Sequence, residues 1–354
     1  MNSKMDVGIL GATGTVGQEF IRLLDKHPWF RVAWLGASER SAGKVYRDAT
    51  RWRLPTVCPP DIVNMPVSLC ETGNAPRLVF SGLDSSVAGS VEELFARNDH
   101  IVVSNAKNYR MDADVPLLIP EINADHLRLL NTQVNIRDWP GAIVTNPNCS
   151  TIVITLALAP LRQFGIERVM VSTLQAISGA GYPGVASLDI LGNILPHIPG
   201  EESKIETETQ KILGAVNDGA AGDLNIAPHD MVISAQTTRV PVLNGHTALM
   251  SVELASDPTI EDIVKAFVSF QGRPQSENLP TAPSQPVCYV GDPLRPQPKL
   301  DVDAQGGMSI TVGRLRKCPV LDFKFVVLGH NTVRGAAGAA VLNAELMRVD
   351  GLLD

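Results

Sequence analysis

The sequence predicts an α/β protein in which a doubly wound parallel sheet is joined to a second, α+β domain with a mixed or antiparallel sheet. Three observations favour this fold class. A glycine-rich turn joins the first strand-like run to the first helix-like run, strands and helices alternate through the first half, and long strands with long connections fill the second half. Alternating strands and helices are typical of βαβ units, whereas the second pattern is typical of α+β domains.

The composition is that of a globular protein. The chain has 354 residues, of which 44% are hydrophobic and 19% are charged, and this length allows two domains with separate cores. The net charge of −7 argues against nucleic acid or an anionic membrane as the main partner. We find no apolar run of the about 18 residues that a membrane span requires, and we expect no signal peptide before the first strand.

The five cysteines are odd in number, widely spaced and free of any C-x-x-C pair. This pattern argues against a disulfide framework and against a structural zinc site. We therefore expect a cytoplasmic protein that holds no metal ion.

The first elements are a strand at 5–10, a turn at 11–17 and a helix at 18–26. The turn has the spacing G-x-x-G-x-x-G, a variant of the commoner G-x-G-x-x-G. Glycines here allow a tight turn and close approach of the backbone to a pyrophosphate, which the start of the following helix attracts. This order of elements favours a dinucleotide-binding domain of the Rossmann type over a glycine turn without a ligand.

The loop after the second predicted strand (30–35) favours NADP over NAD. Hydroxyl and basic side chains in this loop are suited to a ribose 2′-phosphate, and they are Ser38, Arg40, Ser41 and Lys44. NAD-preferring folds usually place an acidic residue here, and Glu39 in the same loop leaves NAD open. A solvated loop is the alternative for all these charges.

Two further predicted strands end in polar loops. The strand at 77–81 is followed by Gly82, and the strand at 100–105 is followed by Arg110. Ligands bind beyond the carboxyl ends of strands in parallel sheets, so both loops are candidates for ligand contact. The alternative for Arg110 is a surface arginine.

The second half alternates less regularly. Strand-like runs occur at 167–177, 231–242, 246–254, 308–312 and 323–328, and an amphipathic helix is predicted at 259–270. Residues 271–299 contain seven prolines and predict an irregular surface crossing with polyproline II character.

The small residues of 331–342 predict a closely packed helix that returns to the first domain beside the glycine turn. We therefore assign 1–148 plus 331–354 to a cofactor-binding domain and 149–330 to a catalytic and dimerisation domain.

The stretch Asn146–Thr151, NPNCST, precedes the apolar run 152–158. Asn and Pro before small hydroxyl residues predict a helix start. The thiol of Cys149 would then lie beside unpaired backbone N–H groups and the positive end of a helix dipole, which favour a reactive thiolate. The alternative is a small buried cysteine in a core helix.

Four residues downstream bear on this thiol. His246 is a candidate base, although a lone histidine is more often structural. Arg239, seven residues upstream across a predicted hairpin, is suited to bidentate pairing with a carboxylate. Glu201 and Lys204 lie one helical turn apart and are candidates for an amine and a phosphate, with a surface ion pair as the alternative.

Several motifs together carry a family resemblance, and they span nearly the whole chain. They are GATGTVGQ at 11–18, ASERSAGK at 37–44, SNAKNYR at 104–110, NPNCST at 146–151, QAISGAGYPG at 175–184, GEESK at 200–204, RVPVLNGHT at 239–247 and HNTVRGAAG at 330–338. On these motifs the chain resembles the aspartate-semialdehyde dehydrogenases, and looks closer to their archaeal and fungal branch than to the main bacterial one.

The resemblance implies roles for individual residues. Cys149 would be the nucleophile, His246 the general acid/base, and Gln175 the residue that orients the bound substrate. Arg239 would bind the substrate carboxylate and Glu201 its amino group, with Glu202 as the alternative. The residues implied at the phosphate are Arg110, Asn148 and Lys204. Those implied at the cofactor are Gly11, Thr13, Gly14, Thr15, Val16, Ser38, Ser41, Ser81, Gly82, Gly179 and Asn331.

The implied reaction is the NADPH-dependent reductive dephosphorylation of L-4-aspartyl phosphate to L-aspartate 4-semialdehyde through a cysteine thioester. It belongs to the biosynthesis of lysine, methionine and threonine, and the family implies a homodimer or homotetramer. Malonyl-CoA reductase and N-acetyl-glutamyl-phosphate reductase are alternatives, because they share the scaffold. A non-catalytic NADP-binding sensor ranks last, since Cys149 and His246 are both present.

Overall fold

The structure is a computed structural model that describes residues 4–218 and 224–353. The predicted first domain therefore has its outermost residues, 1–3 and 354, outside the described residues, and the predicted second domain has 219–223 outside them. Among the described residues, the longest apolar helices are too short or too polar to cross a membrane.

The first sheet is parallel throughout, as the alternation of elements predicts. Its strands are β1 (Met5–Leu10), β2 (Phe30–Ala37), β3 (Val67–Leu69), β4 (Leu78–Ser81), β5 (Ile101–Ser104) and β6 (Ala142–Thr145). The spatial order is β3-β2-β1-β4-β5-β6, with every neighbouring pair parallel. Strands β4, β5 and β6 are buried along their whole length, which explains their uninterrupted apolar sequences.

Helices cover both faces of this sheet and one face of the second. They are α1 (Thr15–Leu24), α2 (Tyr46–Ala49), α3 (Pro60–Val63), α4 (Ser85–Arg97), α5 (Pro120–Asn123), α6 (Leu129–Arg137), α7 (Cys149–Leu158), α8 (Ser187–Ile190), α9 (Glu201–Ile212), α10 (Ile260–Ser269), α11 (Arg273–Ser276), α12 (Pro298–Asp301) and α13 (Gly338–Val349). Short 3-10 helices occupy Ala124–Arg128, Ala159–Phe164, Ile177–Ala180 and Ala304–Gly307, and a π-helical turn occupies Val333–Ala337.

The glycine turn brings α1 directly against the strand ends. A Cβ atom at Gly17 would lie 2.3 Å from the carbonyl oxygen of Gly11, so only glycine allows this contact. Helix α1 begins at Thr15, earlier than predicted, and its N-cap Gly14 offers no side-chain cap. The first N–H groups of α1 are therefore free of a side-chain cap and available to a ligand.

The second sheet is mixed, as predicted. Its strands are β7 (Ile166–Gln175), β10 (Val232–Arg239), β11 (His246–Leu254), β12 (Val287–Val290), β13 (Ile310–Lys317) and β14 (Phe323–Gly329), while β8 (Ala215–Asp218) and β9 (Leu224–Ala227) form a separate antiparallel pair. The spatial order is β10-β7-β11-β14-β13-β12, in which the first and last pairs are parallel and the others antiparallel.

The predicted hairpin between Arg239 and His246 is wrong. Strand β7 lies between β10 and β11, so the connection crosses the end of β7. Its backbone is satisfied there, because Val240 N–H donates to the carbonyl of Gln175 and Ile177 N–H donates to that of Val242. Both side chains nevertheless remain at the same end of the sheet.

The irregular crossing predicted for 271–299 is wrong in part. This segment contains the short helix α11 and strand β12, which pairs in parallel with β13. Strand β12 lies at the edge of the sheet, where flanking prolines are tolerated because no ladder hydrogen bond is lost. The apolar, fully buried Val287 anchors it in the core.

The C-terminal helix returns to the first sheet, as predicted. The π-helical turn and α13 follow the last strand, and Ala337, Ala340 and Val341 lie in one buried cluster with Phe20 of α1 and Phe80 of β4. A second buried cluster joins α7 to the inner face of the second sheet. Helix α7 therefore begins where the two cores meet.

Candidate active site

Cys149 is the first residue of α7, and Asn148 caps this helix. The Asn148 side-chain oxygen accepts hydrogen bonds from the backbone N–H groups of Ser150 at 2.9 Å and Thr151 at 3.2 Å. Asparagine at this position satisfies N–H groups that have no partner within the helix. The predicted helix start is therefore confirmed, with the thiol at its N-terminus.

Cys149 contacts His246, the first residue of β11. The distance between Cys149 Sγ and His246 Nε2 is 3.2 Å. On the other side of the ring, His246 Nδ1 accepts the backbone N–H of Ala176 at 3.1 Å. A neutral imidazole has one accepting and one donating nitrogen, so this hydrogen bond assigns the proton to Nε2, which faces the sulfur.

Burial governs the protonation of this pair. It raises the pKa of Cys149 to about 12, an effect that the charge of Glu201 reinforces and the charges of Arg110 and Arg239 oppose. Burial also lowers the pKa of His246 to about 3, with Arg239 acting in the same direction. Burial therefore opposes the thiolate that the helix start favours, because it removes the water that would solvate the anion.

Helix α9 places two of the predicted residues beside Asn148. Glu201 is buried, and its Oε1 accepts a hydrogen bond from Asn148 Nδ2 at 2.7 Å. Its Oε2 accepts one from Lys204 Nζ at 3.1 Å. The alternative, Glu202, accepts the backbone N–H of Thr237 on β10. Glu201 therefore faces the cysteine and Glu202 does not.

Arg239 and Gln175 end neighbouring strands and are paired in register. Both are buried. Arg239 Nη1 donates to the carbonyl of Ala176 at 2.9 Å, and Gln175 Nε2 donates to Thr173 Oγ1 at 3.3 Å. Arg239 is close enough to Cys149 to lower its pKa, so the cationic group lies beside the thiol.

Arg110 is buried, not a surface arginine. Its Nη2 donates to the carbonyl of Asn105 at 2.7 Å and its Nη1 donates to Glu208 Oε1 at 3.0 Å. Within 4–218 and 224–353, its buried Nε has no hydrogen-bond partner. A donor left open in this way is available to an anion.

Glu208 is the main residue that the sequence analysis missed. Besides Arg110, it accepts the backbone N–H of Asn148, through Oε2 at 2.6 Å. The signal in the sequence was its helical spacing from Glu201 and Lys204 on α9, which places all three on one face.

Gly335 was named only as part of the motif at 330–338, and the structure shows why a glycine is required there. It lies in the π-helical turn, and a Cβ atom there would be 2.7 Å from Cys149 Cβ. Its neighbour Arg334 forms a fully buried bidentate pair with Glu121 of α5. The turn therefore packs on Cys149 from a rigidly anchored position.

The predicted cofactor residues fall into two groups. The first group lies at the carboxyl end of the neighbouring strands β2, β1 and β4, and its members are Gly11, Thr13, Gly14, Thr15, Val16, Ser38, Ser41, Ser81 and Gly82. The second group lies beside Cys149 and His246. Gly179 packs against the His246 ring, and Asn331 accepts the N–H of Gly245 and donates to Ser178 Oγ.

This arrangement fits a dinucleotide. The start of α1 has no side-chain cap, and it packs so closely on the turn that a side chain at position 17 would clash with the backbone of Gly11. A cavity lined by Thr15 of α1 and by Ile177 and Ser178, next to Gly179, lies between the two groups. A cofactor bound along it would have its reactive end at Cys149.

Comparisons with known proteins agree with this geometry. Family models described as "Semialdehyde dehydrogenase, NAD binding domain" and "Semialdehyde dehydrogenase, dimerisation domain" match residues 6–130 and 158–334. Aspartate-semialdehyde dehydrogenase from Methanothermobacter thermautotrophicus is 48% identical over 97% of this chain and 99% of its own length. The one from Schizosaccharomyces pombe is 48% identical over 98% and 99%.

A solved structure is similar over the same span. The crystal structure of aspartate semialdehyde dehydrogenase with NADP from Candida albicans superposes with a TM-score of 0.90. It has 42% sequence identity and covers 99% of this chain and 100% of that one.

The raised pKa of Cys149 predicts a pH dependence of its reactivity. In the protein without ligands, the rate of Cys149 alkylation by iodoacetamide should rise about a hundredfold from pH 7 to pH 9, because the thiolate fraction grows about tenfold per pH unit below the pKa. Peptide mass spectrometry, with Cys149→Ser as the control, separates this cysteine from the other four. A rate that is already constant above pH 7 would contradict the assignment of a neutral thiol.

Proposed function

We propose a reaction and residue roles for this chain on the premise that it belongs to the aspartate-semialdehyde dehydrogenase family. The chain is an NADP-dependent oxidoreductase that converts L-4-aspartyl phosphate to L-aspartate 4-semialdehyde and phosphate, a step in the biosynthesis of lysine, methionine and threonine. The observation that carries this function is the contact of Cys149 with His246, surrounded by Arg110, Arg239 and Glu201.

The charges around the thiol suit the two ends of the substrate. Arg239 would pair with the α-carboxylate, while Glu201 would accept the α-ammonium. Arg110 and Lys204 would bind the phosphate, and Asn148 would contribute its second amide hydrogen. A carboxylate beside the thiol attracts a free ammonium group, so Glu201 favours an amino substrate over malonyl-CoA or an N-acetylated one.

The proposed mechanism passes through a thioester on Cys149. As the Cys149 sulfur attacks the acyl carbon, the thiol proton passes to the departing phosphate, which leaves as hydrogen phosphate toward Arg110 and Lys204. NADPH, when bound, would supply the hydride that reduces the thioester to a thiohemiacetal oxyanion. The C–S bond then breaks, which releases the aldehyde, and the resulting thiolate takes up a proton from water. Gln175, at the end of β7, would orient the substrate.

His246 would act through its Nε2 proton. The N–H of Ala176 occupies Nδ1 and so keeps the proton of the neutral ring on Nε2. From there it can donate a hydrogen bond to the Cys149 sulfur as it attacks, then to the oxyanion, and again to the departing sulfur, without giving up the proton. Each of these anions is stabilised by a donor already in place, which is the usual basis of oxyanion stabilisation.

NADP would bind at the carboxyl end of the first sheet. The glycine turn and the start of α1 would hold the pyrophosphate. Ser38 and Ser41 would contact the ribose 2′-phosphate. Ser81 and Gly82 line the path between strands, and Gly179 and Asn331 would hold the nicotinamide beside Cys149.

We assign 1–148 plus 331–354 to the cofactor domain and 149–330 to the catalytic domain. In support, α13 shares the core of the first sheet. The five unpaired cysteines support a cytoplasmic location.

We propose that the chain forms a homodimer through the outer face of the second sheet. Neighbouring strands expose large apolar side chains there, with Val232 65%, Met170 54% and Leu249 45% exposed. Contiguous exposed apolar surface is typical of protein interfaces. The family model that matches this region is described as a dimerisation domain.

The substrate assignment predicts a selective defect. Glu201→Gln should raise the KM for aspartate semialdehyde about tenfold or more, because a hydrogen bond to a charged group contributes about 1.5–3 kcal/mol. The KM for NADP⁺ should change little. The measurement is phosphate-dependent reduction of NADP⁺, and Glu202→Gln is the matched control.

Turnover of malonate semialdehyde with CoA, without turnover of aspartate semialdehyde, would instead support malonyl-CoA reductase. An equal rise of the KM for aspartate semialdehyde in Glu201→Gln and Glu202→Gln would contradict the role of Glu201 at the substrate amino group.

The dimer assignment predicts that Leu249→Asp yields a monomer in sedimentation velocity, because a charge would be buried in an apolar interface. Val57→Asp is the control, since Val57 is 89% exposed in the first domain. A dimer that persists in Leu249→Asp would place the interface elsewhere.

A further inference from the structure

Helix α9 carries four charged residues on one face. Glu201, Lys204, Glu208 and Lys211 are spaced by three, four and three residues, which aligns them along the helix. The proposed function uses only the first two. Glu208 and Lys211 lie one to two turns farther along, and they are 2% and 5% exposed.

Lys211 uses all three of its hydrogen-bond donors on one loop of the first domain. Its Nζ donates to the backbone carbonyls of Arg110 at 2.7 Å, Asp112 at 2.8 Å and Val115 at 2.9 Å. An ammonium group has three donors, so none remains for another partner. A single side chain of the second domain therefore fixes the backbone of this loop, starting at Arg110.

Glu208 fixes the side chain of the same arginine. One carboxylate oxygen accepts from Arg110 Nη1 and the other from the backbone N–H of Asn148. The arginine is thus tied to the cap of the nucleophile helix. Its Nη2 donates to the carbonyl of Asn105, and its buried Nε has no protein partner among the described residues.

We propose that Lys211 and Glu208 are positioning residues that hold Arg110, backbone and side chain, in place to bind the substrate phosphate beside Cys149. This proposal rests on the proposed function, in which Arg110 is a phosphate ligand. Neither residue touches the substrate. Both act by keeping the arginine donors at a fixed distance from the acyl carbon, as phosphate binding and release require.

Stability alone does not explain a buried lysine here. Burial lowers the pKa of Lys211 to about 8, even though Asp112, Asp114 and Glu208 act to raise it. An unfolded lysine has a pKa of about 10.4. The unfolded chain therefore binds more protons between these values, so the charged lysine costs folding free energy at neutral pH and this cost falls as pH rises through 8. An apolar side chain would avoid the cost.

The test compares variants of Lys211 in the phosphate-dependent oxidation of aspartate semialdehyde. Lys211→Met should raise the KM for phosphate about tenfold or more, since it removes charged hydrogen bonds that hold the loop. The KM values for NADP⁺ and aspartate semialdehyde should stay within about twofold, because the residues at those sites do not contact Lys211. Lys211→Arg should recover part of the phosphate affinity. Lys265→Met, at an exposed position of α10, is the matched control.

Glu208→Gln provides a second variant in case Lys211→Met does not fold. It should also raise the phosphate KM. The new side-chain NH₂ group would face a donor, either Arg110 Nη1 or the Asn148 N–H, and two donors cannot form a hydrogen bond with each other. Circular dichroism and thermal unfolding establish the folded state of each variant.

The outcomes separate the inference from its premise. An unchanged phosphate KM in folded Lys211→Met and Glu208→Gln overturns the inference. An equal rise in the KM values for phosphate, NADP⁺ and aspartate semialdehyde also overturns it. Arg110→Ala tests the premise. If it leaves the phosphate KM unchanged while wild-type turnover remains phosphate-dependent, the phosphate role of Arg110 fails and the inference fails with it.

Discussion

The hydrogen bonds of Asn148 fix the position of Cys149. Its side-chain oxygen caps α7, its amide nitrogen donates to Glu201, and its backbone N–H donates to Glu208. The start of α7 is therefore held by two carboxylates of α9. The positions of the thiol, of the arginine bound to Glu208 and of the lysine bound to Glu201 all depend on these hydrogen bonds.

Burial of these groups explains both how the charged side chains of the site are paired and how Cys149 and His246 are protonated. Charges that are removed from water must be paired, and here the pairs are Arg110 with Glu208 and Lys204 with Glu201. The same burial keeps Cys149 protonated and His246 neutral. The site is thus organised to stabilise an anion through donors, and a bound phosphate or oxyanion would complete it.

Local signals were sufficient to predict most of the framework. The glycine turn before α1 and the cap before α7 can be recognised in short stretches of sequence, because turns and caps require particular residues at particular positions. Helical spacing places Glu208 and Lys211 on the face of Glu201, but it does not reveal what they contact. Arg110, which both residues bind, lies about a hundred residues away in sequence, on a loop that meets α9 only in the folded chain. The hairpin prediction failed for a similar reason, since nothing near Arg239 or His246 reveals that β7 lies between their strands.

The proposed mechanism passes through a thioester at Cys149, and trapping this intermediate tests it most directly. The protein is mixed with aspartate semialdehyde and NADP⁺ without phosphate, then analysed by absorbance and by mass spectrometry of its peptides. We expect a burst of one NADPH per active site and an acyl adduct on the Cys149 peptide, which added phosphate removes. Turnover on adding phosphate without a prior burst, or an adduct on another residue, would contradict the mechanism.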